Sequence, residues 1–187
     1  MKYLVHILLA GAALVPLASA AKAADFTPSV PPEAATYSGL YLRADGGASF
    51  LAYSNAPSNT AFVFDAGIGY QFDPTFRADL TYNRTGDYTI APGATLSTST
   101  VLGTVYYDFR NSSALTPYLG AGVGYGWQYA GGTATDGNGI AIGLNAGVAY
   151  DFTNNLALDV GYRFHDIFAN NQNTPEHQVT AGLRVKF

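Results

Sequence analysis

From Ser38 to the C-terminus, apolar and polar positions alternate with a period of two, the spacing of a β-strand whose two faces meet different surroundings. In the first such stretch Leu40, Leu42, Ala44, Ala48 and Phe50 share one side, and Tyr41, Arg43, Asp45 and Ser49 the other. The next sets Phe62, Phe64, Ala66, Ile68, Tyr70 and Phe72 against Asp65 and Gln71, and a third sets Phe76, Ala78, Leu80 and Tyr82 against Arg77, Asp79, Thr81 and Asn83. Near the end, Leu156, Leu158, Val160, Tyr162 and Phe164 oppose Asp159, Arg163 and His165. The last stretch opposes Val179, Ala181, Leu183, Val185 and Phe187 to Gln178, Thr180, Arg184 and Lys186. Charges keep to one face throughout.

A repeated ending divides this alternation into elements. Tyr70-Gln-Phe72, Tyr107-Asp-Phe109 and Tyr150-Asp-Phe152 each precede a short turn sequence, and Val185-Lys-Phe187 closes the sequence. Between successive endings lie two strands and one longer polar stretch, a hairpin of roughly 40 residues. Four hairpins predict eight strands, near 38–51, 61–72, 76–86, 98–109, 117–129, 139–152, 156–166 and 177–187. Loops rich in Asn, Thr, Ser, Gly and Ala are expected at 52–60, 87–97, 130–138 and 167–176. Short turns at one end, long loops at the other and an even strand number describe an eight-stranded antiparallel up-and-down transmembrane β-barrel. The strands also have the length of about 9 to 11 residues that a tilted membrane strand needs.

Composition separates this fold from a soluble barrel with its apolar face inward. Only 12% of residues are charged, against roughly a quarter in an ordinary soluble domain. The polar face pairs opposite charges at adjacent positions (Arg43 with Asp45, Arg77 with Asp79) and holds many glycines, too little for a water-facing coat. Lipid outside and polar groups inside account for both.

The N-terminus reads as an export signal: Lys2, an apolar run from Leu4 to Leu17, then small residues that fit cleavage after Ala20 or after Ala23. The domain expectation is a cleaved signal over 1–23, a Pro-rich flexible periplasmic leader over 24–37 and the barrel over 38–187. Removing the signal leaves seven basic and thirteen acidic residues, net charge −6, which argues against nucleic acid as a partner. Absence of cysteine excludes disulfides, thiolate chemistry and Cys-type zinc sites.

The Ala-rich signal, the Pro-containing leader, the opening Gly39-Leu-Tyr-Leu-Arg-Ala-Asp-Gly-Gly47, the Tyr-x-Phe endings, Pro117-Tyr-Leu-Gly-Ala-Gly-Val-Gly124 and the terminal Phe together resemble the opacity-protein/outer-membrane immunogenic protein family. These are porin-like small surface barrels of Gram-negative bacteria, and the likeness runs over essentially all of the mature chain. The resemblance implies a bacterial outer-membrane location and outer-membrane lipid as a partner. It also implies an assembly signal at Val179, Ala181, Leu183, Val185 and Phe187, read by the barrel-assembly machinery during biogenesis. The family covers adhesion, envelope integrity and weak pore activity, so it implies location more sharply than task.

Candidate chemistry falls mainly on the inward face. Arg43, Asp45, Asp65, Arg77, Asp79, Asp159, Arg163, Arg184 and Lys186 are expected to form a barrel-interior polar network, with Asp108 and Asp151 near the turn-side mouth. An eight-stranded barrel is just wide enough to be filled by side chains. Gly67, Gly69, Gly120, Gly122, Gly124, Gly126, Gly143 and Gly147 share that face and leave room either for water or for Tyr41, Tyr106 and Tyr118 to fold across. Tyr70, Phe72, Tyr107, Phe109, Tyr150 and Phe152 are the expected periplasmic aromatic girdle. The run Gly120-x-Gly-x-Gly-x-Gly126 keeps strand alternation through Tyr125 and Trp127, so it does not read as a phosphate loop.

His165 and His177 flank the last long loop, and by alternation one faces in and the other out; solvated rim histidines, not a metal site, are expected. Arg163-Phe-His-Asp-Ile-Phe168 supplies a His but no following Ser, so a barrel deacylase would lack its nucleophile. The loops are small and polar, with Tyr53 and Tyr88 as their few aromatic anchors. The functional expectation is a non-enzymatic barrel that needs no cofactor or metal, contributes to envelope structure and allows at most weak, narrow-pore permeability. A small diffusion porin and a surface adhesin that binds ligands through its loops are the alternatives.

Overall fold

The computed structural model describes residues 39–52, 60–169 and 172–187; the export signal and leader expected before Ser38 lie outside the described residues, as do most of the expected loop at 52–60 and Tyr53. The strands are β1 (Gly39–Leu51), β2 (Thr60–Gln71), β3 (Phe76–Thr85), β4 (Tyr88–Ala91), β5 (Ala94–Asp108), β6 (Leu115–Gly132), β7 (Gly137–Asp151), β8 (Leu156–Ala169) and β9 (Gln172–Lys186). All pairings are antiparallel. β1 pairs with both β2 and β9, and β3 with both β2 and β5, so the sheet closes on itself. The four-residue β4 continues β3 along β5, and the wall is therefore an eight-stranded barrel. Closure satisfies the backbone of every strand without leaving an edge, which hydrocarbon would not tolerate.

Short side chains tie the turns at one end. The Asp73 carboxylate accepts from the N–H groups of Thr75 (2.6 Å) and Phe76 (2.9 Å), the Asn111 amide oxygen from Ser113 N (2.7 Å), and the Thr153 hydroxyl from Leu156 N (3.0 Å). Each is a local bond that stabilises a turn in place of a ladder bond. At the opposite end the strands run on well past the expected bounds. The stretches expected as loops at 87–97, 130–138 and 167–176 are mostly strand, with turns left at 92–93 and 133–136 between the described strands β4–β5 and β6–β7. Gly93 and Gly132 take a positive φ of 74° there, a conformation open to glycine at no steric cost.

One irregularity re-aims a side chain. Arg84 pairs with Ser99 but Tyr88 with Leu96, so the Gly86-Asp87 step inserts one extra residue opposite β5. Such a bulge shifts the face that later residues present. Tyr88 consequently turns into the barrel and packs with Leu51 and Leu96, where it cannot serve as the loop anchor expected of it.

The wall separates two surroundings. Phe62, Val123, Ile140 and Phe187 are at least 60% exposed, and they point outward with most of the large apolar side chains of the strands. An apolar surface of this size around a closed sheet requires lipid rather than water.

Candidate functional site

Among the described residues charge gathers in the lumen, and every residue of the expected interior network is buried there. Strand alternation puts them on one side of the sheet, and closure brings residues far apart in sequence together. Arg43 on β1 donates to Asp45 (2.9 and 3.0 Å), to Asp79 on β3 (3.2 Å) and to the Tyr106 hydroxyl on β5 (3.0 Å). Arg163 on β8 reaches across to Asp45 (3.1 Å) and bonds Asp65 on β2. Two guanidinium groups thus hold three carboxylates from three strands.

Toward the short-turn end, Arg77 pairs with Asp108 at 3.1 Å and lies over the rings of Tyr106 (3.9 Å) and Tyr118 (4.9 Å). The Tyr41 hydroxyl donates to Asp79 at 3.2 Å. Arg184 pairs with Asp159 (3.2 Å), and Lys186 with Asp151 (2.5 Å), which Arg110 also approaches at the mouth (3.5 Å). A buried charge is stabilised by pairing and hydrogen bonding, and each of these interior cations holds at least one carboxylate.

The glycines explain how such large side chains fit. A Cβ at Gly69 would lie 2.2 Å from the Tyr41 ring, one at Gly120 2.5 Å from the Tyr106 ring, and one at Gly147 2.5 Å from the Tyr118 hydroxyl. Of the two fillings that the sequence leaves open, the structure takes the tyrosines at these three positions. Tyr106 and Tyr118 meet edge to face with centroids 5.9 Å apart. This is a favoured aromatic geometry.

The loop-side half of the lumen is closed differently. Glu176 accepts from the Thr98 hydroxyl (2.7 Å) and from Gln178 (3.2 Å), Asn83 donates to Gln178 (3.2 Å), and Tyr88 donates to Ser49 (2.6 Å). Leu102, Ala141, Ile167 and Ala169 form an apolar patch beside this layer. Glu176 and Tyr88 were not expected in the interior. For Glu176 the signal was present: it lies two residues before Gln178 on the same polar face of β9. Between the two layers lies a small space bordered by Arg43, Thr81, Thr100, Asn145, Arg163 and His165, with room for about one water molecule.

His165 is one of those lining residues and is 4% exposed, so it is an interior group and not the solvated rim histidine expected. His177 is on the outer face, against the rings of Tyr162 and Phe164. The two imidazoles lie on opposite sides of the wall and do not converge.

Outside, Tyr70 and Phe72, Tyr107 and Phe109, and Tyr150 and Phe152 form three contacting ring pairs, with centroids 5.3, 4.8 and 5.0 Å apart, at the short-turn end. Val179, Ala181, Leu183, Val185 and Phe187 form an outward row along β9.

A closed antiparallel barrel with an apolar exterior, ring pairs at its turn end and an ion-paired lumen defines a small transmembrane β-barrel. The chain belongs to the outer membrane protein beta-barrel domain family, which matches residues 10–187. Among curated relatives, outer membrane protein PagN of Salmonella typhimurium is 30% identical over 148 residues, 60% of this chain and 61% of PagN. Opacity protein opA66 of Neisseria gonorrhoeae is 31% identical over 117 residues, 43% of this chain and 49% of that protein. The chain thus spans about half to three-fifths of the length of these two relatives. The crystal structure of Neisserial surface protein A (NspA) matches with a TM-score of 0.70 at 29% identity, over 80% of this chain and 97% of that one. The protein is a bacterial outer-membrane barrel of the opacity type.

Proposed function

We propose that this barrel is a non-enzymatic structural component of the outer membrane that passes at most small, weak currents. The observation that carries the reading is the filled lumen: Arg77 is 1% exposed, with Asp108 beside it and the Tyr106 and Tyr118 rings against it. A conducting pore needs a continuous hydrated path, and two stacked layers of bonded side chains oppose one. The His165 Nδ1 has no hydrogen-bond partner among the described residues, so no carboxylate orients that ring as a general base would require.

The outward row ending at Phe187 supports recognition by the assembly machinery, and the exterior supports lipid as the barrel's principal partner. The ring pairs at the short-turn end support a periplasmic interfacial girdle. The surface-binding alternative loses one of its two expected anchors with the burial of Tyr88. The test is planar-bilayer recording of the refolded protein, after its heat-modifiable gel mobility has shown a closed barrel. Silent or brief, small events are expected; large, steady channels would overturn the filled-lumen reading in favour of a diffusion porin.

A further inference from the structure

Arg84 is the one guanidinium on the outward face among the described strand residues; Arg43, Arg77, Arg163 and Arg184 all point into the lumen. It follows Phe76 by eight positions on β3. At about 3.3 Å per residue and a tilt near 40°, that places it roughly 20 Å above the short-turn edge of a band about 25 Å tall. Arg84 therefore lies close to the headgroups of the outer leaflet, not at the bilayer centre.

Its surroundings are built. Nη1 donates to the Ser99 hydroxyl at 2.9 Å and Nη2 to Ser97 at 3.3 Å, while the guanidinium carbon stands 4.6 Å from the centroid of the Tyr129 ring. The Tyr82 and Ser99 hydroxyls are 3.2 Å apart. Ser97 and Ser99 face outward yet are 3% and 1% exposed, because these side chains roof them. Polar residues here interrupt an exterior that is otherwise apolar along β5. Every polar contact to Arg84 is with a neutral hydroxyl, and no carboxylate pairs with it among the described residues. A guanidinium has five donors, so three remain after the two serines.

We propose that Arg84, framed by Tyr82, Ser97, Ser99, Trp127 and Tyr129, binds the phosphate of an anionic lipid in the outer leaflet. The serines and the Tyr129 ring hold the guanidinium against the wall, and the planar fork left free suits two phosphate oxygens. An ionisable side chain facing lipid is costly without a counter-ion, and the anion present at that depth is a headgroup phosphate. A merely snorkelling arginine would reach water without discriminating between headgroups.

Trp127 makes the site observable. It is the only tryptophan of the protein and stands directly across from Ser99 on the neighbouring strand. The refolded protein is placed in phosphatidylcholine vesicles that contain a minor fraction of either brominated phosphatidic acid or brominated phosphatidylcholine, and quenching of Trp127 is compared. Phosphatidic acid should be enriched at Trp127 about fivefold, the factor that corresponds to a single basic group beside an anionic lipid surface. In R84Q the two lipids should quench alike, and R84K should retain part of the preference. Equal quenching in the unaltered protein, or a preference unchanged in R84Q, overturns the proposal. Should R84Q fail to close, the S97A/S99A pair removes both hydroxyl anchors and should weaken the preference; no change there overturns it equally. Conductance is not expected to respond to any of these variants.

Discussion

Arg77 lies deep in the lumen, held by Asp108 and by two tyrosine rings. Truncating it strands a buried carboxylate, a loss of about 3–5 kcal/mol where no other cation can move in. Arg77→Ala should lower the midpoint of urea unfolding in lipid vesicles accordingly; an unchanged midpoint would mean that Asp108 finds another partner. Glycine positions give a sharper test, because the wall distinguishes them by side. Gly120→Ala drives a methyl into the Tyr106 ring, whereas Gly103→Ala meets nothing nearer than 3.8 Å. The first should cost about 1–3 kcal/mol, the usual penalty for overpacking, and the second should leave the unfolding midpoint in the same assay within error. Equal effects would show that the Tyr106 ring swings aside.

Strands outlast the hydrophobic alternation that reveals them. Alternation is visible where an apolar outer face opposes a polar lumen. At the loop-side end the lumen itself carries Leu96, Ile167 and Ala169, the two faces no longer contrast, and the signal fades while the backbone ladder continues. This is why 94–97, 130–132 and 167–169, read as loop, are strand. The Gly86-Asp87 bulge hides Tyr88 for a related reason: a one-residue insertion reverses the parity on which any face assignment depends. Amide hydrogen exchange in vesicles is the direct check. Protection should continue through 94–98 and 126–130 and fall off at the turns 92–93 and 133–136, where ladder bonds end. Rapid exchange from 94 to 97 would restore the loop reading of that segment.

At the scale of the whole barrel, the two lumen layers act in series, so either alone opposes conduction. Emptying the turn-side layer by a joint Tyr106→Ala and Tyr118→Ala change removes two rings yet leaves Glu176, Gln178, Thr98 and Tyr88 closing the other half. The double variant should therefore stay nearly silent in planar bilayers. Adding Tyr88→Ala and Glu176→Ala should produce measurable conductance. Steady channels from the first variant alone would place the entire barrier at Arg77 and its rings. Silence from the combined variant, with the barrel shown closed by gel mobility, would mean that the remaining side chains collapse into the space.

Strand number, the membrane-facing side and the charged interior residues other than Glu176 were legible in the sequence alone. Each depends on local periodicity and on the Phe72, Phe109, Phe152 and Phe187 endings, which survive without knowledge of any neighbour. Pairing across the lumen was not legible. Arg163 meets Asp65 and Asp45 only because β9 pairs with both β8 and β1 and so closes β8 toward β1 and β2, and no spacing along the chain encodes that meeting. Whether the glycines admit water or tyrosine was likewise decided in three dimensions. The answer turns on whether a ring from Tyr41, Tyr106 or Tyr118 reaches the gap left by a missing Cβ, and that distance exists only in the closed barrel.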